Sequence, residues 1–284
     1  MKFIFFGTPE FATIILEKLI KSGLEPQAAF RNPKESASVL IEKLEYLKPD
    51  LAIIAAYGKI LSKEIVEIPR YGFINVHPSL LPKYRGASPI QYAILNGDKE
   101  TGVTIMKVDE EMDHGPILAN SELPIAGSDT YDSLSQKLAI LGAELLIKTI
   151  PDYISGKIKP FEQDHSKSTY TKIIKKEDGK IDWSKSAQDL ERMVRAYYPW
   201  PSSWTLWNGK ILKIIEAEVF KNDSNYKIGE VFSDLTSTSI HRCIEVKCGD
   251  GVLIIKKLQL EGGKVLTSKE FLNGHKDFIG SVLK

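Results

Sequence analysis

Three short apolar runs constrain the fold of this chain more than any other feature: residues 3–6 (FIFF), residues 51–57 (LAIIAAY) and residues 72–74 (GFI). None alternates apolar with polar residues, so each reads as a strand covered on both faces. Segments of helical period fall between them. Residues 11–20 follow the first run after Gly7-Thr8-Pro9-Glu10, and Pro9 suits an early helical turn, where its missing N–H costs nothing. Strand, glycine turn and helix open a βαβ unit. The same reading predicts strands at 27–30, 51–56, 72–77, 102–108 and 117–123, with helices at 36–47, 88–95 and 131–150. The fold class that follows is α/β with a mostly parallel sheet. In such sheets ligands bind beyond the carboxyl ends of the strands.

From residue 155 to residue 185 the periodicity fails. That window holds eight lysines against five acidic residues, including Lys175-Lys176, and reads as a basic linker. Beyond it, apolar and polar residues alternate at 211–215, 243–247 and 252–256 between glycine turns, which predicts a small β-barrel or sandwich. Trp200, Trp204 and Trp207 read as core of that domain. The expected division is therefore 1–158 for the first domain, 159–179 for the linker and 180–284 for the second domain.

Composition excludes several classes. Net charge is +1, from 38 basic and 37 acidic residues, so only a local basic patch can attract nucleic acid. Cys243 and Cys248 offer no disulfide framework, and the histidines (77, 114, 165, 241 and 275) show no metal-ligand spacing, so no metal is expected. The opening apolar run is too short for a secretion signal, and the longest, seven residues, is too short to span a bilayer. A cytoplasmic protein is the expectation.

The chemistry concentrates in Asn75-Val76-His77-Pro78-Ser79-Leu80-Leu81-Pro82 and, 36 positions after the histidine, Asp113-His114-Gly115-Pro116. On a strand, Asn75 and His77 share a face. An amide and an imidazole together can hold developing negative charge, and Asp113 can orient the ring, which points to acyl or formyl transfer. Blander readings exist. His77 can be a core histidine, Asp113 a turn cap, and Lys83 with Arg85 a solvated turn or a phosphate contact. Gly7-Thr8-Pro9 is either a tight turn or an anion site at a helix start; without G-x-G-x-x-G it does not bind a dinucleotide.

These motifs closely resemble those of the methionyl-tRNA formyltransferases, within the formyltetrahydrofolate-dependent transferase superfamily. The resemblance runs through Gly7 to Ala12, Ala55 to Leu61, Ile74 to Gly86, Thr101 to Met106 and Asp113 to Leu118, then Ile181-Asp182-Trp183-Ser184 and Pro199-Trp200-Pro201. It implies a Rossmann-like catalytic domain followed by a small OB-like barrel, with 10-formyltetrahydrofolate as formyl donor and the amino group of initiator methionyl-tRNA as acceptor. Asn75, His77 and Asp113 then become the catalytic trio, and Ser79, Leu80, Leu81 and Pro82 line the folate pocket. Gly7, Thr8, Pro9, Phe11, Lys83 and Arg85 are expected to meet substrate. No stable protein partner is implied. A sugar-nucleotide N-formyltransferase, which shares the trio, and a non-catalytic RNA-binding relative are the competing readings.

Two departures stand out. After Phe30 the chain passes through Arg31-Asn32-Pro33-Lys34 straight into one helix; losing an edge strand and its loop, about thirty residues, leaves interior ladders intact. That loop helps the family grip the tRNA acceptor arm, so initiator discrimination is in question. In the acidic loop, Glu111 and His114 stand where the family has glycine and threonine, which predicts altered loop geometry at Glu111.

Overall fold

The protein is described from a computed structural model covering residues 1–220, 225–233 and 243–284; His241 falls outside the described residues. The chain forms two compact units. The first comprises residues 1–93, 98–126 and 133–173, and the second residues 94–97, 127–132 and 174–284.

The first unit opens with β1 (Phe3–Phe6), α1 (Glu10–Lys21), β2 (Ala28–Phe30), α2 (Ala37–Leu47), β3 (Leu51–Ile54), α3 (Lys63–Val66) and β4 (Phe73–His77). It continues with β5 (Arg85–Gly86), α4 (Pro89–Leu95), β6 (Glu100–Lys107), β7 (Ile117–Pro124), α5 (Tyr131–Ile154) and β8 (Tyr170–Thr171), α4 and α5 each extending into the second unit. The main sheet has the order β2-β1-β3-β4-β6-β7. Its first three pairings are parallel and the two beyond β4 antiparallel, so the parallel character predicted from the apolar runs ends at β4. β6 and β7 are joined by a short acidic loop rather than a helical crossover, which suits an antiparallel pair.

Apolar residues on both faces of β1 and β3 make the sheet's centre. Ile4, Phe6 and Ala52 pack with Leu40 and Leu44 of α2 and with Tyr57 and Phe73. The order reverses between β1 and β3, placing Gly7 at the switch point. A Cβ on Gly7 would lie 2.4 Å from Ala12 Cβ and 2.7 Å from the Ala55 carbonyl oxygen, so a glycine is needed there for close packing.

The second unit holds α6 (Ala187–Tyr197), β9 (Ser203–Trp207), β10 (Lys210–Phe220), β11 (Val231–Phe232), β12 (Ile244–Lys247), β13 (Val252–Leu260), β14 (Val265–Thr267) and α7 (Ser268–Gly274). Its antiparallel sheet runs β11-β12-β13-β10-β9, with β14 on β13. Register shifts around Glu216 let β10 bend, the geometry of a curled sheet. Neither helix was legible as an alternating strand pattern. α6 buries Leu190, Met193, Val194 and Tyr197 on one face and starts at Ser186, whose hydroxyl accepts from Asp189 N. Trp207 is core, packed on Phe271, His275 and Phe278, whereas Trp200 is 57% exposed and Trp204 half-buried. The expectation of three core tryptophans is corrected to one. No helix among the described residues is long and apolar enough to cross a membrane.

Burial pushes the Cys248 thiol up to about 12, beside its contact with the Val246 carbonyl oxygen. At pH 8 that thiol stays protonated and weakly nucleophilic. In a Cys243→Ala variant, a thiol reagent should label Cys248 only after denaturation. Full labelling of the native protein would contradict this.

Candidate active site

Asn75 and His77 occupy the carboxyl end of β4, held between β3 (Ile54 beside Asn75) and β6 (Thr104 beside His77). Two residues apart, they share a face of the sheet, as the period of a strand requires. The acidic loop brings Asp113 to them. Asn75 Nδ2 donates to Asp113 Oδ1 at 3.3 Å, and His77 Nδ1 lies 3.5 Å from the same oxygen. The other carboxylate oxygen accepts from Gly86 N at 2.8 Å. His77 is buried (4% exposed) and Asp113 nearly so.

The tautomer of His77 follows from its second partner. Nε2 lies 3.0 Å from the Tyr84 carbonyl oxygen, which can only accept, so Nε2 carries a proton. Nδ1 is therefore the ring nitrogen left to face Asp113. The sequence reading assigned the ring N–H to the substrate oxygen. The structure commits one ring N–H to Tyr84 and leaves that role to Nδ1 alone.

Backbone strain in the loop sits on Asp113, at φ +52°, and not on Glu111. Aspartate tolerates this region better than most residues. The family's glycine position therefore needs no positive φ in this chain, and the predicted disturbance at Glu111 is withdrawn. His114 Nδ1 lies 2.7 Å from Asp109 Oδ2, and its ring stacks on His165 at 4.2 Å.

The remaining expected ligand contacts divide by burial. Ser79 is fully buried, its hydroxyl donating to the Lys83 carbonyl oxygen and its own carbonyl accepting from Thr104 Oγ1. Leu81 packs with Met106 and Ile117. Both side chains build the scaffold, leaving half-buried Leu80 and Pro82 as the side chains that can meet a ligand. Phe11 is 5% exposed among the core residues of α1, so its side chain is withdrawn from substrate contact. Thr8 is exposed, its hydroxyl donating to the Arg31 carbonyl oxygen; Pro9 caps α1. Lys83 is half exposed and paired with Asp98 at 2.8 Å.

Arg85 is the clearest correction. Read as a phosphate contact, it is 2% exposed. Its guanidinium donates to Gln163 Oε1 through Nε (3.2 Å) and Nη2 (2.7 Å), to His165 Nδ1 (2.8 Å) and to the Tyr170 hydroxyl (3.3 Å). The Ser168 and Arg85 hydrogen bonds hold the Tyr170 phenol below its ordinary value. These partners lie in residues 161–171, the start of the stretch read as a linker. That segment is fastened to the first unit: Phe161 bridges Ile117, β8 pairs with β5, and Thr169 Oγ1 accepts from Tyr84 N.

A sequence profile for formyl transferases matches residues 12–150, and one for the formyl transferase C-terminal domain matches residues 173–276. The chain belongs to the formyl transferase family. A methionyl-tRNA formyltransferase of Lachnospira eligens is 38% identical over 313 aligned positions, covering 100% of this chain and 99% of that protein. One from Thermodesulfovibrio yellowstonii is 41% identical over 303 positions, 96% of each chain. The first alignment is longer than the 284 residues of this chain, so this member of the family lacks stretches that its relative has. In fold, the chain matches the crystal structure of HypX from Aquifex aeolicus in complex with tetrahydrofolic acid, with a TM-score of 0.73 at 19% identity. That match covers 98% of this chain and spans 48% of HypX.

Proposed function

We infer that this enzyme transfers the formyl group of 10-formyltetrahydrofolate to the α-amino group of methionyl-tRNA, the initiator species, for translation initiation. The observation that carries the site assignment is the Asp113 carboxylate seated between the Asn75 amide and His77 Nδ1 at the end of β4.

The residues present fit a formyl carbonyl beside an amine. Asn75 has two amide N–H bonds; one engages Asp113, and the other has no protein acceptor among the described residues. 10-Formyltetrahydrofolate supplies the activated formyl carbon. The acceptor amine has an ordinary pKa of about 7.7–8.0, so an appreciable fraction is neutral near pH 7 without a strong base. Asn75 donates to the formyl oxygen as negative charge builds there, and His77 adds to this only when Nδ1 carries the second proton. Asp113 Oδ1 accepts the proton that the amine releases, directly or through water. Gly86 N–H keeps the carboxylate from turning away.

The second unit, read as OB-like, and the basic stretch entering it would hold the acceptor stem. Lys172, Lys175, Lys176 and Lys180 are all exposed. If they track phosphates, the log of tRNA affinity should fall with the log of salt concentration by about 0.7–0.9 per phosphate neutralised. Exchanging all four for alanine should flatten that slope in proportion, and an unchanged slope would remove the track. The reaction places the enzyme in the cytoplasm, with no stable protein partner required.

A direct test offers 10-formyltetrahydrofolate with methionyl-tRNA, with a UDP-amino sugar, and with water alone. Formyl on methionyl-tRNA only is the expected result. Formyl on the sugar would replace this reading, and salt-sensitive RNA binding without transfer would leave a non-catalytic relative.

A further inference from the structure

We propose that Gln163, clamped by Arg85, is the positioning residue of the acidic loop and sets the Asp113 carboxylate against Asn75 and His77. The inference rests on the catalytic reading of Asp113. Gln163 is 4% exposed and lies far along the chain from the strand-end motif, yet its side chain reaches the loop. Nε2 donates to the carbonyl oxygens of Asp113 (2.9 Å) and Gly115 (2.8 Å). Oε1 accepts two N–H bonds from Arg85.

The orientation of that amide is forced. A guanidinium has only donors, so it can face only Oε1, and the NH2 group must then face the two carbonyls. Arg85 thus fixes which end of Gln163 meets the loop. Both carbonyls flank His114, whose ring stacks on His165, and His165 Nδ1 accepts from the same guanidinium. One buried cation therefore seats the loop backbone through Gln163 and the loop's side chain through His165.

The loop needs such a hold because Asp113 stands at φ +52°. A non-glycine residue keeps that conformation only where its surroundings over-determine it. Freed of the two Gln163 bonds, the turn can relax and carry the carboxylate off by about an ångström. A displacement of that size costs about 10²-fold in rate.

Gln163→Glu isolates the effect. It preserves the acceptor for Arg85 and turns the loop-facing donor into an acceptor, opposed to two carbonyl oxygens. The experiment measures kcat and KM for both substrates in Gln163→Glu, Asp113→Asn and the double variant, with thermal melting in parallel. Gln163→Glu should lower kcat by about 10–100-fold and leave the 10-formyltetrahydrofolate KM within about threefold. On the Asp113→Asn background it should cost little more, because both changes disable one unit. A kcat within about twofold of wild type, or a full multiplicative loss in the double variant, overturns the proposal. If Asp113→Asn itself turns over normally, the catalytic reading fails and this inference with it. If only Asp113→Asn is inactive, the inference alone fails. Should Gln163→Glu not fold, Gln163→Met, similar in length and uncharged, takes its place in the same cycle.

Discussion

Alanine at Asn75 is expected to lower kcat by about 10²–10³-fold, the usual cost of one lost oxyanion donor. The amide sits at the end of β4, fixed by ladders on both sides, so its removal leaves the strand and its neighbours in place. The KM for 10-formyltetrahydrofolate should change little, because the interaction strengthens only as charge develops on the formyl oxygen. Alanine at Asp113 should cost at least as much. It removes the proton acceptor and leaves the Gly86 N–H and the Asn75 amide without their partner. His77→Ala empties the space between Asp113 and the Tyr84 carbonyl. Pairs of these changes should fall well short of multiplying, as groups acting on one reacting centre do. Steady-state kinetics with methionyl-tRNA check all of this. Near-normal turnover in any one of the three would remove that residue from the trio.

What could be read from the chain divides along a physical line. β4 and the pairing of Asn75 with His77 were legible because a strand's period of two is written in consecutive residues. Asp113 was legible only through its motif, since nothing in residue spacing brings a loop 36 positions away to the end of β4. The brace formed by Arg85, Gln163 and His165 carries no periodic signal. Its members are polar residues in aperiodic stretches, where burial depends on tertiary contacts and the default expectation is solvent. Arg85 was misplaced for that reason. α6 hid behind its charged residues, although Ser186, with Asp189 three positions on, marked its start. In the acidic loop the family comparison pointed to Glu111 as the strained position, yet the chain bends at Asp113 and Glu111 keeps an ordinary backbone.

Gly115→Ala should be strongly damaging although it adds a single methyl group. A Cβ there would fall 2.1 Å from the Lys107 carbonyl oxygen and 3.1 Å from the carbon that bears it. Both are backbone atoms at the end of β6, where Lys107 N also donates to the Pro116 carbonyl oxygen, so no side chain can swing aside. The loop itself must move away from β6. Overpacking of this kind costs about 1–3 kcal/mol. In a unit of this size each kcal/mol lowers the melting temperature by about 2–4 °C. The effect on turnover should be larger than stability alone explains, because Gly115 and Asp113 offer their carbonyls to the same Gln163 amide. A shift of about an ångström in the loop carries the carboxylate with it, for a further loss of about 10²-fold in kcat. Glu111→Gly provides the contrast. Glu111 has no positive φ, so that exchange should leave kcat within about twofold; it adds freedom to the unfolded chain and gives up the 4.0 Å contact of the Glu111 carboxylate with the exposed edge of His114. Melting and kinetics on the two variants decide the matter. A Gly115→Ala enzyme with wild-type turnover would show that the carboxylate is not held through this turn.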